Sequence, residues 1–151
     1  MKRQAKTREW HHRHVHDFYV RQATEQGWRS RAAFKLLEID DKDRLLKPGQ
    51  IVVDLGCAPG GWCQVAASRM KGQGRIIGID LLDMTGINGV TFIQGDFTED
   101  GTLAEIKSAL SGKKVNLVLS DMAPNITGVV VSDQARVYAL ADLALDFAVH
   151  H

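Results

Sequence analysis

Four short apolar runs, each delivering an aspartate at or just past its carboxyl end, constrain this chain more than any other feature. They are Ile51-Val52-Val53-Asp54-Leu55, Arg75-Ile76-Ile77-Gly78-Ile79-Asp80, Val90-Thr91-Phe92-Ile93 with Asp96 beyond it, and Val115 to Leu119 with Asp121 beyond it. Runs of this length, bounded by turn residues, read as buried strands. Trp62 to Met70 and Leu103 to Leu110 lie between them with helical patterning. Such alternation predicts an α/β fold, a parallel sheet flanked by helices and joined by right-handed crossovers. Ligands of open parallel sheets collect beyond the carboxyl ends of the strands, where all four acids fall.

The first turn reads Asp54-Leu55-Gly56-Cys57-Ala58-Pro59-Gly60-Gly61-Trp62. Gly56, Gly60 and Gly61 allow the backbone to approach a ligand and open the next helix. Their spacing is G-x-x-x-G-G, which differs from the G-x-G-x-x-G of pyrophosphate binders and weakens the case for a nicotinamide-dependent oxidoreductase. Asp80 lies 24 residues beyond Gly56, where a carboxylate accepts the hydroxyls of a cofactor ribose. Asp96 suits an adenine amino group. The acids have no compensating Lys or Arg in the glycine turn, a charge balance that favours a sulfonium and an ammonium over a phosphate. S-adenosylmethionine is therefore the preferred cofactor, with Gly56, Gly60 and Gly61 as its expected cradle and Asp54, Asp80 and Asp96 among the acids around it. The duller alternative is that Asp54 merely organises the turn and Trp62 is ordinary core.

Upstream of the strands the chain is basic. Residues 1–35 hold nine Lys/Arg against Glu9, Asp17 and Glu25, whereas the whole 151-residue chain carries a net charge of only +1. The asymmetry suggests a basic face for a polyanion beside an acidic pocket. Residues 1–16 show no apolar period and are expected to form a basic flexible arm, with a domain over residues 17–151. A short helix is expected from Asp17 to Gln26, ended by Gly27. Ser30 is expected to cap a second helix from Arg31 to about Asp40 that carries Lys35. Arg29, Arg31 and Lys35 are candidate RNA contacts, and Trp10, Phe18 and Tyr19 among the basic residues suit base stacking. His11, His12, His14 and His16 have no acid or cysteine partner at fixed spacing, so no metal site is expected.

No apolar stretch approaches the length of a membrane span, and no secretory signal follows the basic amino terminus, so a cytoplasmic location and no membrane partner are expected. Cys57 and Cys63 are spaced poorly for a disulfide framework and read as reduced packing residues. Residues 126–133 read as a loop and 134–149 as an amphipathic helix. The fourth strand is almost wholly apolar, as in strands paired on both sides, which suggests that the natural protein continues with further strands.

Ser30-Arg31-Ala32-Ala33-Phe34-Lys35-Leu36, the glycine turn, Asp80-Leu81-Leu82, Gln94-Gly95-Asp96-Phe97 and Ser120-Asp121-Met122-Ala123-Pro124-Asn125 together resemble the FtsJ/RrmJ family of ribosomal-RNA 2'-O-methyltransferases. The resemblance spans about Asp17 to Phe147, and it implies Gly60, Trp62, Asp80, Leu81, Asp96 and Asp121 as cofactor positions. It implies a Rossmann-like S-adenosylmethionine-dependent methyltransferase fold, here incomplete at its C-terminal end. It also implies 2'-O-methylation of a uridine ribose in large-subunit ribosomal RNA, by a monomer acting on the large ribosomal subunit. Lys35 and Asp121 match the first two members of the family's Lys-Asp-Lys-Glu set, and the later lysine and glutamate are expected on strands that these 151 residues do not contain. A chain without that general base is expected to bind cofactor and methylate poorly. The alternative is a non-catalytic RNA-binding module on the same fold.

Overall fold

The computed structural model describes residues 2–122 and 147–151, with side chains in the first helix described from Arg13 onward. The expected loop over 126–133 and most of the expected helix over 134–149 lie outside the described residues, although residues 147–150 are helical.

Four strands make one parallel sheet: β1 (Ile51–Leu55), β2 (Arg75–Asp80), β3 (Val90–Gln94) and β4 (Leu117–Ser120). Their order is β3-β2-β1-β4. Asp54 stands opposite Gly78 on one side and Leu119 on the other, and Asp80 opposite Gln94. Because the chain crosses to one side of β1 for β2 and to the other for β4, the strand order reverses next to β1. That reversal opens a crevice at the carboxyl ends. Among the described residues β4 pairs with β1 alone.

Besides the helical residues 147–150, four helices among the described residues accompany the sheet: α1 (Lys2–Glu25), α2 (Ala32–Asp43), α3 (Gly61–Arg69) and α4 (Asp100–Leu110). Successive strand residues face opposite sides, so β1 feeds two cores. Val52 packs with Ile76, Ala33, Leu36 and the buried face of α3. Val53 and Leu55 pack with Ile77, Ile79, Ile93, Ile106 and Phe147 on the α4 side. All five residues of β1 are buried, as expected for a strand paired on both edges and covered on both faces.

The amino-terminal segment departs from expectation. Instead of a flexible arm to His16 followed by a short helix, α1 runs unbroken from Lys2 to Glu25. The absence of an apolar period hid it, but the segment contains neither Gly nor Pro and is rich in Lys, Arg, Gln, Glu and Ala, whose helical cost is small. Gly27, with φ of +81°, ends the segment as expected. Ser30 does not cap α2. Arg31 occupies the N-cap with helical angles and no side-chain cap bond, and the Ser30 carbonyl instead accepts the Ala33 amide at 3.3 Å.

Two side-chain ties fix α2 against α3. Buried Asp40 accepts the Leu46 amide at 2.8 Å through Oδ1, and its Oδ2 lies 3.5 Å from Arg69. The Trp62 indole donates to the Ala32 carbonyl at 2.8 Å. The tie holds the start of α2, and with it Lys35, against the glycine turn.

Candidate active site

Beyond the carboxyl ends of the strands lies a cavity of about 420 Å³, lined by Gly56, Ala58, Ile79, Asp80, Leu81, Leu82, Gly95, Asp96, Phe97, Thr98, Asp121 and Met122. A narrower recess of about 70 Å³ continues the crevice past Gly56, Ala58 and Asp121 to Ser30, Ala32, Asp54, Cys57, Pro59, Gly61 and Trp62. The larger space is of ligand size. Among the described residues neither is lined by a lysine or an arginine.

The turn from β1 into α3 needs its glycines. Gly56 has φ of +74° and Gly60 +113°, conformations that other residues adopt only with strain. A side chain at Gly56 would also run into Met122, and one at Gly61 would meet the Ser30 hydroxyl at 2.6 Å. The turn is anchored to β2, since the amides of Gly56 and Cys57 both donate to the Ile79 carbonyl, at 2.8 and 3.1 Å. The Ala58–Pro59 peptide bond is cis.

Asp80 ends β2 with its carboxylate gripped from both sides. Oδ2 accepts the Ala58 amide and Oδ1 the Leu82 amide, each at 2.8 Å. Each oxygen retains acceptor capacity for a further donor. Asp96 Oδ1 accepts both the amide and the hydroxyl of Thr98, at 2.9 and 2.6 Å, which fixes the carboxylate at the cavity wall. Leu81 and Leu82 are 67% and 70% exposed at the same rim, placing apolar surface beside the two acids.

Asp54 differs from the other acids. It is 2% exposed and accepts a bond from the Cys63 thiol at 3.3 Å. Burial pushes its carboxyl up from 3.8 to about 7; the thiol bond opposes this, and the neighbouring Asp121 and Asp80 add to it. The thiol of Cys63 is pushed upward too, by its hydrogen bond with Cys57, by burial and by the nearby Asp54 carboxyl. It therefore stays a neutral donor. Both cysteines are free and buried, and Gly78 on β2 leaves the space their sulfurs occupy, since a Cβ there would sit 2.8 Å from one and 3.1 Å from the other.

At the mouth of the recess the Lys35 Nζ meets the Asp121 Oδ1 at 3.4 Å, with side chains 64% and 39% exposed. One residue comes from α2 and the other from just past β4, 86 positions later. The structure thus brings together Lys35, Asp54, Gly56, Gly61, Trp62, Asp80, Leu81, Asp96 and Asp121 around one crevice. Gly60 is the N-cap of α3 and shapes the turn behind it. Arg31 is exposed at the N-cap of α2, one helical turn before Lys35. Arg29 is half-buried, and its guanidinium donates to the carbonyls of Pro59, Thr85 and Gly86.

Sequence reasoning missed three contributors. Met122 covers Gly56, Thr98 orients Asp96, and Cys63 supplies the bond to Asp54. Only Thr98 had a local signal, the Asp-x-Thr spacing that favours a side-chain turn. No group of three or more His, Cys, Asp or Glu among the described residues is arranged to hold a metal.

The sequence pattern of the FtsJ-like methyltransferases matches residues 28–151. The chain belongs to the FtsJ-like methyltransferase family. A ribosomal RNA large subunit methyltransferase E from Azoarcus sp. (strain BH72) is 56% identical over 151 residues, 100% of this chain and 74% of that protein. The protein of the same name from Nitrosospira multiformis is 57% identical over 147 residues, 97% of this chain and 71% of its own length. A solved ribosomal RNA methyltransferase from Plasmodium falciparum superposes with a TM-score of 0.69 at 40% identity, covering 72% of this chain and 64% of that one. In this FtsJ-like domain the crevice and the Lys35–Asp121 pair occupy the switch point of the sheet.

Proposed function

We propose that the chain is the donor-binding part of an S-adenosylmethionine-dependent enzyme that methylates the 2'-hydroxyl of a uridine in large-subunit ribosomal RNA. The observation that carries the reading is the acid-lined, glycine-floored crevice opening directly onto the Lys35–Asp121 pair. A crevice bordered by Asp54, Asp80, Asp96 and Asp121, with no cation lining it among the described residues, suits a ligand with a sulfonium and an ammonium and repels phosphates. Its floor and size fit an adenosine, and the names of the relatives supply the RNA.

Asp80 would accept the ribose hydroxyls and Asp96 the adenine amino group, while Leu81 and Phe97 supply apolar surface to the base. Asp54, Gly56, Gly61 and Trp62 would surround the amino-acid end in the narrower recess, with Gly60 setting the turn. When bound, the donor supplies a methyl group on a positively charged sulfur. Lys35 and Asp121 then hold the nucleotide and its hydroxyl against that end of the crevice, and orientation of this kind supplies much of the rate. The lysine expected from a later strand would take the hydroxyl proton, kept neutral by the nearby Lys35 charge and oriented by Asp121.

RNA would lie against Arg31, Lys35 and those of the exposed Arg13, Arg21, Phe18 and Tyr19 of α1 that turn toward them. Charged residues there neutralise phosphates and the rings accept bases. No helix among the described residues is long and apolar enough to cross a membrane, and a cytoplasmic monomer working on the large ribosomal subunit is part of the proposal. Residues 17–151 would form the methyltransferase domain, with residues 1–16 as a basic extension that is helical here.

Calorimetry with S-adenosylmethionine against NAD tests the donor, and NAD binding in its place would overturn the reading. Transfer of a labelled methyl group to large-subunit RNA tests the chemistry. The 151 residues alone are expected to be slower by about 10²- to 10⁴-fold, the usual worth of a general base, than the same chain extended by the C-terminal segment of the Azoarcus relative. Equal rates would sink the assignment of the base, and RNA binding without transfer by the extended chain would instead support a non-catalytic module.

A further inference from the structure

We propose that Arg29 is a positioning residue for the methyl donor, holding together the two loops that aim the Asp80 carboxylate. The inference rests on the donor reading above. Arg29 Nη1 donates to the Pro59 carbonyl at 3.2 Å and to that of Thr85, and Nη2 donates to the Gly86 carbonyl at 2.8 Å. Pro59 lies in the glycine turn between β1 and α3, whereas Thr85 and Gly86 lie in the connection from β2 to β3.

These two loops are the ones that hold Asp80. The amide of Ala58, next to Pro59, donates to Oδ2, and the amide of Leu82, three residues before Thr85, donates to Oδ1. One carboxylate is thus gripped by an amide from each loop, and one guanidinium ties the loops to each other. A relaxed loop on either side would rotate or release the carboxylate expected to receive the donor's ribose. Displacement of about 1 Å at such a group is enough to cost binding and rate.

The root of the side chain is itself fixed. The Arg29 amide donates to Gln64 Oε1 at 2.8 Å, and Gln64 Nε2 donates to the Gly27 carbonyl at 3.1 Å, so α3 holds the 27–29 turn. The side chain then passes over Gly60, where a Cβ would lie 3.5 Å from Arg29 Cδ and 2.6 Å from Ile87. Only a planar fork with several donors reaches three carbonyls from one position; a lysine ammonium has the charge but not that span.

The test compares Arg29→Ala and Arg29→Lys with the unaltered chain. Calorimetry with S-adenosylmethionine and S-adenosylhomocysteine is expected to show donor affinity reduced about tenfold or more in Arg29→Ala, the scale of a lost charge-assisted bond, and partly restored in Arg29→Lys. Amide hydrogen exchange without any ligand is expected to quicken at Ala58 and Leu82, and the salt dependence of RNA binding to stay unchanged. Unaltered donor affinity in a variant that only melts earlier would overturn the proposal. So would a salt slope reduced by about one, the signature of a lost phosphate contact. Should Arg29→Ala not fold, Arg29→Lys carries the same comparison. If the unaltered chain binds no donor, the donor reading fails by itself, and unchanged exchange at Ala58 and Leu82 would separately dispose of the strap.

Discussion

Replacing Asp54 by Asn removes the most deeply buried acid among the described residues. Asp54 is 2% exposed, and burial raises its carboxyl from 3.8 to about 7, because a charge without solvent is costly. The folded state therefore holds this proton more tightly than the unfolded chain does. Its contribution to stability is fully present below pH 3.8, is lost as the pH climbs, and is gone once the pH passes about 7. Each pH unit in that interval is worth about 1.4 kcal/mol, so between pH 5 and pH 8 the group withdraws roughly 3 kcal/mol of stability. Asn cannot ionise, and its amide oxygen can still accept the Cys63 thiol.

Urea unfolding followed by tryptophan fluorescence at several pH values from 5 to 8 measures this directly. Every other titrating group is common to both proteins, so the difference between their two pH profiles isolates residue 54. Asp54→Asn is expected to lose roughly 3 kcal/mol less than the unaltered chain over this range. Parallel profiles would show that the Asp54 carboxyl is already charged in the fold at pH 5, and the argument from burial would fail.

The same proton has a consequence for ligand binding: a cationic donor in the recess favours ionised Asp54, so donor affinity should rise between pH 6 and pH 8 in the unaltered chain and stay flatter in Asp54→Asn, as read by calorimetry in buffers of different ionisation heat. Gly56→Ala combines a φ of +74° with a collision against Met122; it is expected to cost about 1 to 3 kcal/mol of stability and to weaken donor binding, which a melting curve with and without S-adenosylhomocysteine would report. Asp40→Ala leaves the Leu46 amide without its buried acceptor and should cost about 1 to 3 kcal/mol in urea unfolding. Lys35→Ala breaks an exposed pair and should change stability by less than about 1 kcal/mol while sharply lowering methyl transfer in the extended chain, a separation that would fail if its melting temperature dropped with its activity.

The glycine turn and the aspartates were legible because their signals are local. A short apolar run bounded by turn residues, a turn that only glycine can make and a polar residue where a strand ends all appear as neighbouring letters, and β1, β2 and α3 accordingly fall within a residue of where the pattern placed them. The flanking helices were less legible. The length of α1 was concealed because a solvent-facing helix needs no apolar stripe, and Ser30 was misread as a cap because its carbonyl, not its hydroxyl, serves the start of α2.

What the sequence determined by itself was the alternating α/β order, the glycine-floored turn and the identity of the acids at the rim, since backbone conformation and strand burial follow from residues close in the chain. Tertiary structure alone decided the roles that depend on distant partners. Lys35 finds Asp121 across 86 positions, Asp54 becomes a buried, proton-retaining carboxyl through the packing of β1 beneath α3, and the Arg29 guanidinium reaches three carbonyls in two loops. Charge and hydrogen-bond capacity are written in the residue, but which partner satisfies them is settled only when the sheet closes and brings those loops together.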